Sequence, residues 1–228
     1  MSVSLAQPLP DIPFLRAVPE GPRAAFLAGG RLIEVLAGTQ IMRQGEPAGA
    51  LLVLLEGRLR VSVMSLAGRE LTFRMLGPVQ PVGEVAMLDG GPRTADVLAV
   101  STCRLLMLPR EHCQEMMTRH ASLGLALIRV LCERLRDTSL GLERVATQRL
   151  ASRMAHLFLK LAGDYGRARP DGLLVPMRLS QGEIAAMVAG TREAVNKQLA
   201  EWRQAGVLAM DRGQVIIRDA AALSAACE

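Results

Sequence analysis

Apolar residues between positions 31 and 109 occur in short runs that glycines separate. In the stretch RLRVSVM, polar and apolar residues alternate, so that Leu59, Val61 and Val63 share one face of an extended strand. Strands that recur about every 8 to 12 residues between glycine turns are typical of a β-barrel or jelly roll. The preceding segment, Pro19–Gly30, is predicted to form one or two short helices.

After Pro109 the apolar spacing becomes that of a helix, with no glycine between Gly124 and Gly141. Five residues follow one another at spacings of four and three: Leu131, Leu135, Thr138, Leu142 and Val145. This pattern indicates a coiled-coil seam of about two heptads, and its charged flanks favour a dimer contact. We therefore expect a homodimer in which the subunits contact each other through a helix at about 119–146. Packing of this helix on its own barrel is the alternative.

The end of the chain predicts a helix-turn-helix. A helix is expected over about Thr147–Ala162, and Gly163–Gly172 has the Gly, Pro and Asp content of a loop. Ser180, with Glu183 three residues later, forms the pattern of a capping box and marks a helix start. Thr191 can cap the next helix, whose buried stripe is expected to contain Ala194, Val195, Leu199 and Trp202.

Gly206 is expected to end that helix, and a small hairpin follows it. The hairpin would pair Val207–Met210 with Val215–Ile217 around the turn Asp211-Arg212-Gly213. A helix, a tight turn, a second helix and a β-wing together define a winged helix-turn-helix. The whole pattern predicts an α+β chain with a jelly-roll-like β-barrel at 1–118, a dimerisation helix at 119–146 and a winged helix-turn-helix at 147–228.

Composition limits the kinds of partner. Half of the 228 residues are hydrophobic but only 3% are aromatic, which argues against a nucleic-acid site built on stacked aromatic side chains. The net charge of +5 permits nucleic acid or an acidic membrane as a partner. Residues 151–228 contain ten Lys and Arg against eight Asp and Glu, so the basic excess of the predicted DNA-binding part is small. The prediction of DNA binding therefore rests on pattern.

Neither a metal site nor a membrane segment is expected. The four cysteines show no C-x-x-C pairing and no histidine at zinc-finger spacing, which favours reduced thiols in a cytoplasmic protein. No uncharged apolar run approaches the roughly 18 residues of a membrane span. Residues 1–111 contain no histidine, which argues against a cupin-like metalloenzyme on the barrel, and no nucleophile–base pair is evident. We expect no enzymatic activity.

Gly83-Glu84, followed by Arg93-Thr94 across a glycine-rich stretch, is the candidate ligand site. Backbone N–H groups of such a segment can surround an anion, and Arg93 can donate two hydrogen bonds to a phosphate. Glu84 can accept a hydrogen bond from a ribose hydroxyl. A glycine-rich turn with a surface Arg–Glu pair is the alternative on spacing alone.

The segments GEVAML and PRTA resemble the phosphate-binding cassette of cyclic-nucleotide-binding domains. The order of cassette, long helix and winged helix resembles the Crp/Fnr transcription regulators over essentially the whole chain. This resemblance implies that Glu84 binds the ribose hydroxyl and Arg93 the cyclic phosphate, with Gly83 and Thr94 completing the loop. One departure is Pro78–Val82, which lacks the Gly-Asp/Glu-aromatic pattern usual before the cassette, so the entry of the strand is expected to be reshaped.

Thr138-Ser139 lies inside the apolar seam, where a polar residue can simply fix the register. In the cAMP-binding members of the family, a Thr-Ser pair at this point contacts the nucleobase, one residue from each subunit. The resemblance therefore implies that Thr138 and Ser139 bind the base. The effector is expected to be cAMP or cGMP, because Thr94 stands where cAMP receptors usually carry Ser and an Arg-Thr pair accompanies cGMP preference in other domains.

The stretch TREAVNK at the start of the second helix is the candidate DNA-reading segment. Its side chains Arg192, Glu193, Asn196 and Lys197 lie at helical spacing away from the predicted buried stripe, and Arg and Lys suit guanine while Glu suits cytosine. The stretch resembles the Crp recognition helix, with Lys197 where an Arg is more usual, which implies a relaxed palindromic TGTGA-type site. Ser180, Gln181 and Thr191 are expected to contact phosphates.

Other functions fit less well. No cysteine precedes Cys103, which argues against the N-terminal iron–sulfur cluster of Fnr-like relatives, and His112 and the later histidines lie beyond the barrel, which argues against a haem sensor. A DNA-binding regulator that is ligand-independent or senses another molecule is the runner-up. A protein-docking module is a third possibility, but it leaves Arg192 without a role. RNA polymerase is an expected partner. Relatives contact it at the position of Arg167–Gly172, but the residues of this segment are too generic to carry that role across.

Overall fold

In the computed structural model, residues 9–227 are described except 66, 67 and 69. The chain divides into two compact units. Of the described residues, the first contains those up to Met64 together with Phe73–Asp137, and the second contains those within Ser65–Thr72 together with those from Thr138 onward. The three functional segments expected from the sequence stay a prediction.

Among the described residues between Arg31 and Pro109, eight strands form two four-stranded antiparallel sheets. Their order is β1-β8-β3-β6 in one sheet and β2-β7-β4-β5 in the other. The strands are β1 Arg31–Val35, β2 Gln40–Met42, β3 Ala50–Glu56, β4 Leu59–Met64, β5 Glu70–Leu76, β6 Pro81–Val82, β7 Asp96–Ala99 and β8 Cys103–Pro109. The jelly-roll-like β-fold predicted from the alternating pattern is confirmed.

Two apolar clusters form the interior of the first unit. One includes Leu59 and Leu76 and is contributed mainly by the strands. The other joins one sheet to the flanking helices and includes Phe26, Leu106 and Leu127. The helices of this part are a 3₁₀ turn at Pro13–Leu15, α1 Glu20–Ala28, α2 Glu84–Asp89, α3 Arg110–Arg119 and α4 Ala121–Thr147. The N-terminal helix expected from the sequence is confirmed in α1.

Helices α3 and α4 are separate because His120 has an extended backbone, with φ −135° and ψ 91°. The first half of α4 buries Leu123, Leu127 and Val130 in the first unit. Its second half exposes large apolar side chains, with Leu135 69% and Leu142 70% exposed. The predicted seam is therefore uncovered in the single chain.

After the end of α4, the described residues of the second unit form a four-stranded antiparallel sheet of order β11-β12-β10-β9 and four helices. These elements are α5 Leu150–Tyr165, β9 Arg167–Arg169, β10 Gly172–Val175, α6 Gln181–Met187, α7 Arg192–Gln204, β11 Leu208–Asp211, β12 Gln214–Ile217 and α8 Ala220–Ala225. The predicted wing is confirmed as β11 and β12. Arg212 and Gly213 have φ of 48° and 81° at its turn, a conformation typical of tight two-residue hairpins.

The prediction that Gly163–Gly172 is a loop is wrong. Helix α5 continues to Tyr165, and β9 then pairs with β10, Ala168 lying opposite Leu173. The segment becomes a hairpin because β10 is already held by β12, which offers β9 a strand edge that local sequence does not reveal. Within the described ranges, no helix is both long and apolar enough to cross a membrane.

Candidate functional site

Gly83 begins the predicted ligand site at the start of α2. Its φ is +83°, and a side chain at this position would collide with Nη1 of Arg93 and lie 2.7 Å from Cε of Met42. Only glycine adopts this conformation without strain and leaves the space open. The glycine therefore allows the guanidinium of Arg93 to approach the cassette backbone.

The polypeptide that enters this site has an unusual backbone at Val79, and the reshaping expected from Pro78–Val82 stays a prediction. Val79 has φ of 62°, which a β-branched residue rarely adopts. The N–H of Val79 nevertheless donates to the carbonyl of Leu54 at 2.6 Å, and the N–H of Leu54 donates to Gln80 at 3.0 Å. These hydrogen bonds hold the entry to the cassette on β3.

Arg93 is 8% exposed and its guanidinium lies against the cassette. Nη1 donates to the carbonyl of Gly83 at 2.9 Å and Nη2 donates to that of Ala50 at 2.8 Å. Burial lowers the pKa of Arg93, while Glu84 and Glu46 oppose this shift. A guanidinium has five N–H donors, so it can hold these two carbonyls and still donate to a phosphate.

Glu84 is 2% exposed and lies at the first position of α2. Its Oε1 forms an ion pair with Nη1 of Arg134 in α4, and Arg134 also donates to the carbonyl of Pro81. Its Oε2 is buried without a hydrogen-bond partner among the described residues. A buried carboxylate oxygen without a partner is costly, so this atom would gain from a hydroxyl donor such as that of a ribose.

Two charged residues missed by sequence reasoning complete this group. Nη2 of Arg74 in β5 lies 3.7 Å from Oδ2 of Asp137 in α4, and Glu84 and Arg134 also act electrostatically on Arg74. In the sequence, Arg134 is one of the charged residues that flank the seam and is expected to be exposed to solvent. Arg74 belongs to none of the motifs found in the sequence. Their proximity depends on the packing of β5 and α4 in the first unit, which the local pattern does not encode.

The remaining residues predicted for the ligand have exposed side chains. Thr94 follows Arg93, lies two residues before β7 and is exposed. Thr138 and Ser139 lie in α4, are exposed and belong to the second unit. Gly83, Glu84 and Arg93 are therefore the members that the structure brings together.

The capping predictions for the helix-turn-helix are confirmed. Oγ of Ser180 accepts from the N–H of Glu183 at 3.2 Å, and the carboxylate of Glu183 accepts from the N–H of Ser180 at 2.8 Å. Oγ1 of Thr191 accepts from the N–H of Ala194 at 3.2 Å. These caps fix the starts of α6 and α7.

Helix α7 separates an apolar face from a polar one. Val195, Leu199 and Trp202 are buried, as predicted, whereas Ala194 is only half-buried. The predicted DNA-reading side chains Arg192, Glu193 and Lys197 are exposed, and Asn196 is half-buried. Ser180, Gln181 and Thr191 are also exposed. The exposed first turns of α7 have the geometry that can enter a major groove.

Arg153 of α5 holds the turn between α6 and α7. Its guanidinium donates to the carbonyl of Gln148 at 2.7 Å, to that of Val188 at 2.8 Å and to that of Ala189 at 3.4 Å. Ala189 has φ of 50°, so its carbonyl is turned away from a helical direction. The turn is thus tied to the segment that follows α4.

In the described part of the chain, no three His, Cys, Asp or Glu residues are grouped so as to hold a metal ion. The four cysteines are free thiols. Burial raises the pKa of Cys113 to about 12, which keeps this thiol protonated at neutral pH.

Comparison with known proteins identifies a family for each of the two parts of the chain that contain the candidate sites. Residues 32–120 match the family model described as a cyclic nucleotide-binding domain, and residues 152–226 match that of a Crp-like helix-turn-helix domain. A cyclic AMP receptor protein of Thermus thermophilus is 32% identical over 82% of this chain and 83% of its own length. A CRP-like cAMP-activated global transcriptional regulator of Mycobacterium tuberculosis is 29% identical over 82% of this chain and 84% of its own length.

Solved structures show the same fold. A CRP-family transcriptional regulator from Thermus thermophilus superposes with a TM-score of 0.74 and 27% identity, covering 86% of this chain and 96% of its own. The relatives in these comparisons are transcription regulators rather than enzymes.

Proposed function

The chain belongs to the Crp/Fnr family of transcription regulators, and from this membership we propose that it is a homodimer that binds palindromic DNA in response to a cyclic mononucleotide, cAMP or cGMP. The observation that carries the ligand proposal is the convergence of Gly83, Glu84 and Arg93. A buried guanidinium and a buried carboxylate oxygen without a partner face one cassette. A cyclic nucleotide supplies the anion for the first and the ribose hydroxyl for the second.

In this proposal, Arg93 binds the cyclic phosphate, Glu84 binds the ribose hydroxyl, and Gly83 and Thr94 complete the loop. Thr138 and Ser139 bind the base, one from each subunit, so that ligand binding is coupled to the geometry of the dimer. A ligand shifts a conformational equilibrium only through contacts that differ between the two states. A contact shared by two subunits is of this kind.

The DNA contacts follow from the exposed face of α7. Arg192, Glu193 and Lys197 read base edges in the major groove, with Asn196 beside them. Ser180, Gln181 and Thr191 contact phosphates and fix the position of the helix. RNA polymerase is the further partner in this proposal.

The effect of the ligand on DNA binding tests this function. The full-length protein is titrated onto a fluorescent duplex that carries an inverted TGTGA repeat, with cAMP, with cGMP and without nucleotide. We expect one nucleotide to increase the affinity about 5- to 150-fold, the usual range of coupling between two sites. Fluorescence anisotropy measures this ratio, and a duplex with a scrambled half-site is the control.

A specific observation supports a second function. Both key side chains already have protein partners, Arg93 two backbone carbonyls and Glu84 the guanidinium of Arg134. A regulator that binds DNA without a cyclic nucleotide, or senses another molecule, is consistent with this arrangement. Equal affinity for the duplex with and without either nucleotide would favour it over the first.

The exposed seam on α4 predicts how the dimer is held. Burial of one leucine side chain contributes about 1.5–3 kcal/mol, and a symmetric contact contains each residue twice. Leu135→Glu is therefore expected to raise the dimer dissociation constant at least about a hundredfold. Sedimentation velocity measures the change.

Arg136→Glu is the matched control, because Arg136 is exposed on the same helix outside the seam. This variant is expected to stay dimeric at the same concentration. A dimer that survives Leu135→Glu would show that the subunits associate through another surface.

A further inference from the structure

A groove that takes no part in the proposed ligand and DNA contacts lies between the end of α7 and strand β11. Residues that line it are Ala200, Arg203, Gln204, Ala209, Met210 and Arg218, all in the second unit. Its volume is about 450 Å³, which is within the range of pockets that bind ligands. The groove is therefore large enough to hold a few residues of a partner.

Two guanidinium groups of this groove have no acidic partner in the part of the chain that the structure describes. Arg203, in the last turn of α7, and Arg218, directly after β12, are both exposed. The neighbouring carboxylates are engaged elsewhere, since Asp211 forms an ion pair with the β9 strand and Asp219 caps α8. Glu201 lies about 200° around α7 from Arg203. The groove therefore has a positive charge that the described residues do not neutralise.

Strand β11 gives the groove an apolar side and a strand edge. Ala209 and Met210 are half-buried there, and the flexible thioether of Met210 can adapt to apolar side chains of different shape. In the sheet order β11-β12-β10-β9, this strand lies at the edge. The N–H of Arg218 donates to the carbonyl of Val207, and hydrogen-bonded pairs alternate along an antiparallel ladder, so the backbone of Met210 faces away from β12. An extended segment can therefore pair its backbone with Met210.

The two arginines lie away from the DNA-reading side chains. Arg203 follows Arg192 by eleven positions in α7, which is about 16 Å along a helix axis. Arg218 is at the end of the β11–β12 hairpin that is opposite to its turn at Arg212-Gly213. A segment held by Arg203 and Arg218 therefore leaves the first turns of α7 free to enter a major groove.

We propose that this groove is a docking site for an acidic, partly apolar segment of another protein. This inference goes beyond the proposed function and needs neither a nucleotide nor DNA. The forked donors of Arg203 and Arg218 match carboxylates, and arginine is enriched at protein interfaces. An apolar side chain of the segment contacts Met210, while its backbone pairs at the edge of β11. DNA phosphate is the other anion that two arginines could bind, and the distance from Arg192 disfavours it.

Fluorescence anisotropy with the full-length protein tests this docking site. The probe is the pentapeptide Glu-Leu-Glu-Leu-Glu labelled with a neutral fluorophore, and the same peptide with Gln in place of Glu is its control. We expect the acidic peptide to bind at least about tenfold more tightly, because hydrogen bonds to charged groups are the stronger ones. Arg203→Ala and Arg218→Ala are each expected to weaken its binding about tenfold.

Arg178→Ala is the matched control, because Arg178 is exposed near Gly213 of the wing turn rather than in the groove. It should leave the affinity for the acidic peptide unchanged, and thermal melts establish that all three variants fold. Equal losses in the three variants would show general attraction to a positively charged protein. Failure of the acidic peptide to bind, equal binding of both peptides, or unchanged binding by both groove variants would also overturn the docking site.

A DNA titration separates the two anions. The groove variants Arg203→Ala and Arg218→Ala are expected to bind the palindromic duplex within about twofold of the wild type, because the groove lies at the other end of α7 from the first turns. A loss of duplex affinity in both variants as large as that of Arg192→Ala would assign the two arginines to DNA phosphate and overturn the docking site.

Discussion

Arg93→Leu is expected to abolish measurable binding of the cyclic nucleotide in a calorimetric titration that shows micromolar binding by the wild type. Arg93 is proposed to hold the cyclic phosphate, and a hydrogen bond to a charged group contributes about 1.5–3 kcal/mol. Loss of a two-donor contact therefore costs roughly 3 kcal/mol or more, at least about a hundredfold in affinity. Both cAMP and cGMP should be affected equally, because the phosphate is common to them.

The leucine variant also leaves the carbonyls of Gly83 and Ala50 without their donor. Arg93→Gln is therefore measured beside it, since an amide can still donate to one carbonyl while the charge is lost. Thermal melts establish that each variant folds. If Arg93→Gln folds and binds nucleotide with wild-type affinity, the phosphate is not held at this cassette.

Arg192→Ala is expected to weaken binding to the palindromic duplex by about 1–3 kcal/mol per half-site and to relax the preference for one guanine. Arg192 is the first residue of α7 and is exposed, so its loss should leave the fold unchanged. Anisotropy titrations with the intact duplex, and with duplexes substituted at single base pairs, measure the two effects.

Arg203→Ala is the matched control. Arg203 is exposed in the last turn of the same helix, so its removal lowers the net charge equally without touching the first turns of α7. It should change affinity little and base preference not at all. Equal losses in both variants would indicate general attraction to phosphate rather than reading of bases, and unchanged binding by Arg192→Ala would favour a protein-docking role.

Features that depend on neighbouring residues could be predicted from the sequence. The cap of α6 needs only Ser180 and Glu183 three residues apart, and the wing needs two apolar runs around Arg212-Gly213. Glycines with a positive φ, such as Gly83, mark turns for the same local reason. Short-range geometry of this kind is determined by the residues that form it.

Features that depend on contacts between distant residues could not be predicted from the sequence. Strand β9 exists because β10 offers it an edge, and α8 was not anticipated because Ala220–Ala225 has little apolar periodicity. The ion pair between Glu84 and Arg134 joins residues fifty positions apart. No local pattern relates the two residues. The sequence therefore predicts Glu84 as a site residue but not its ion-pair partner Arg134.

The hydrogen bonds of Arg153 join the residue that follows α4 to the turn between α6 and α7. One planar group ties the carbonyl of Gln148, immediately after α4, to those of Val188 and Ala189 in the turn before the DNA-reading helix. Because one side chain holds all three carbonyls, a displacement of the last turn of α4 would either carry the turn between α6 and α7 with it or break these hydrogen bonds.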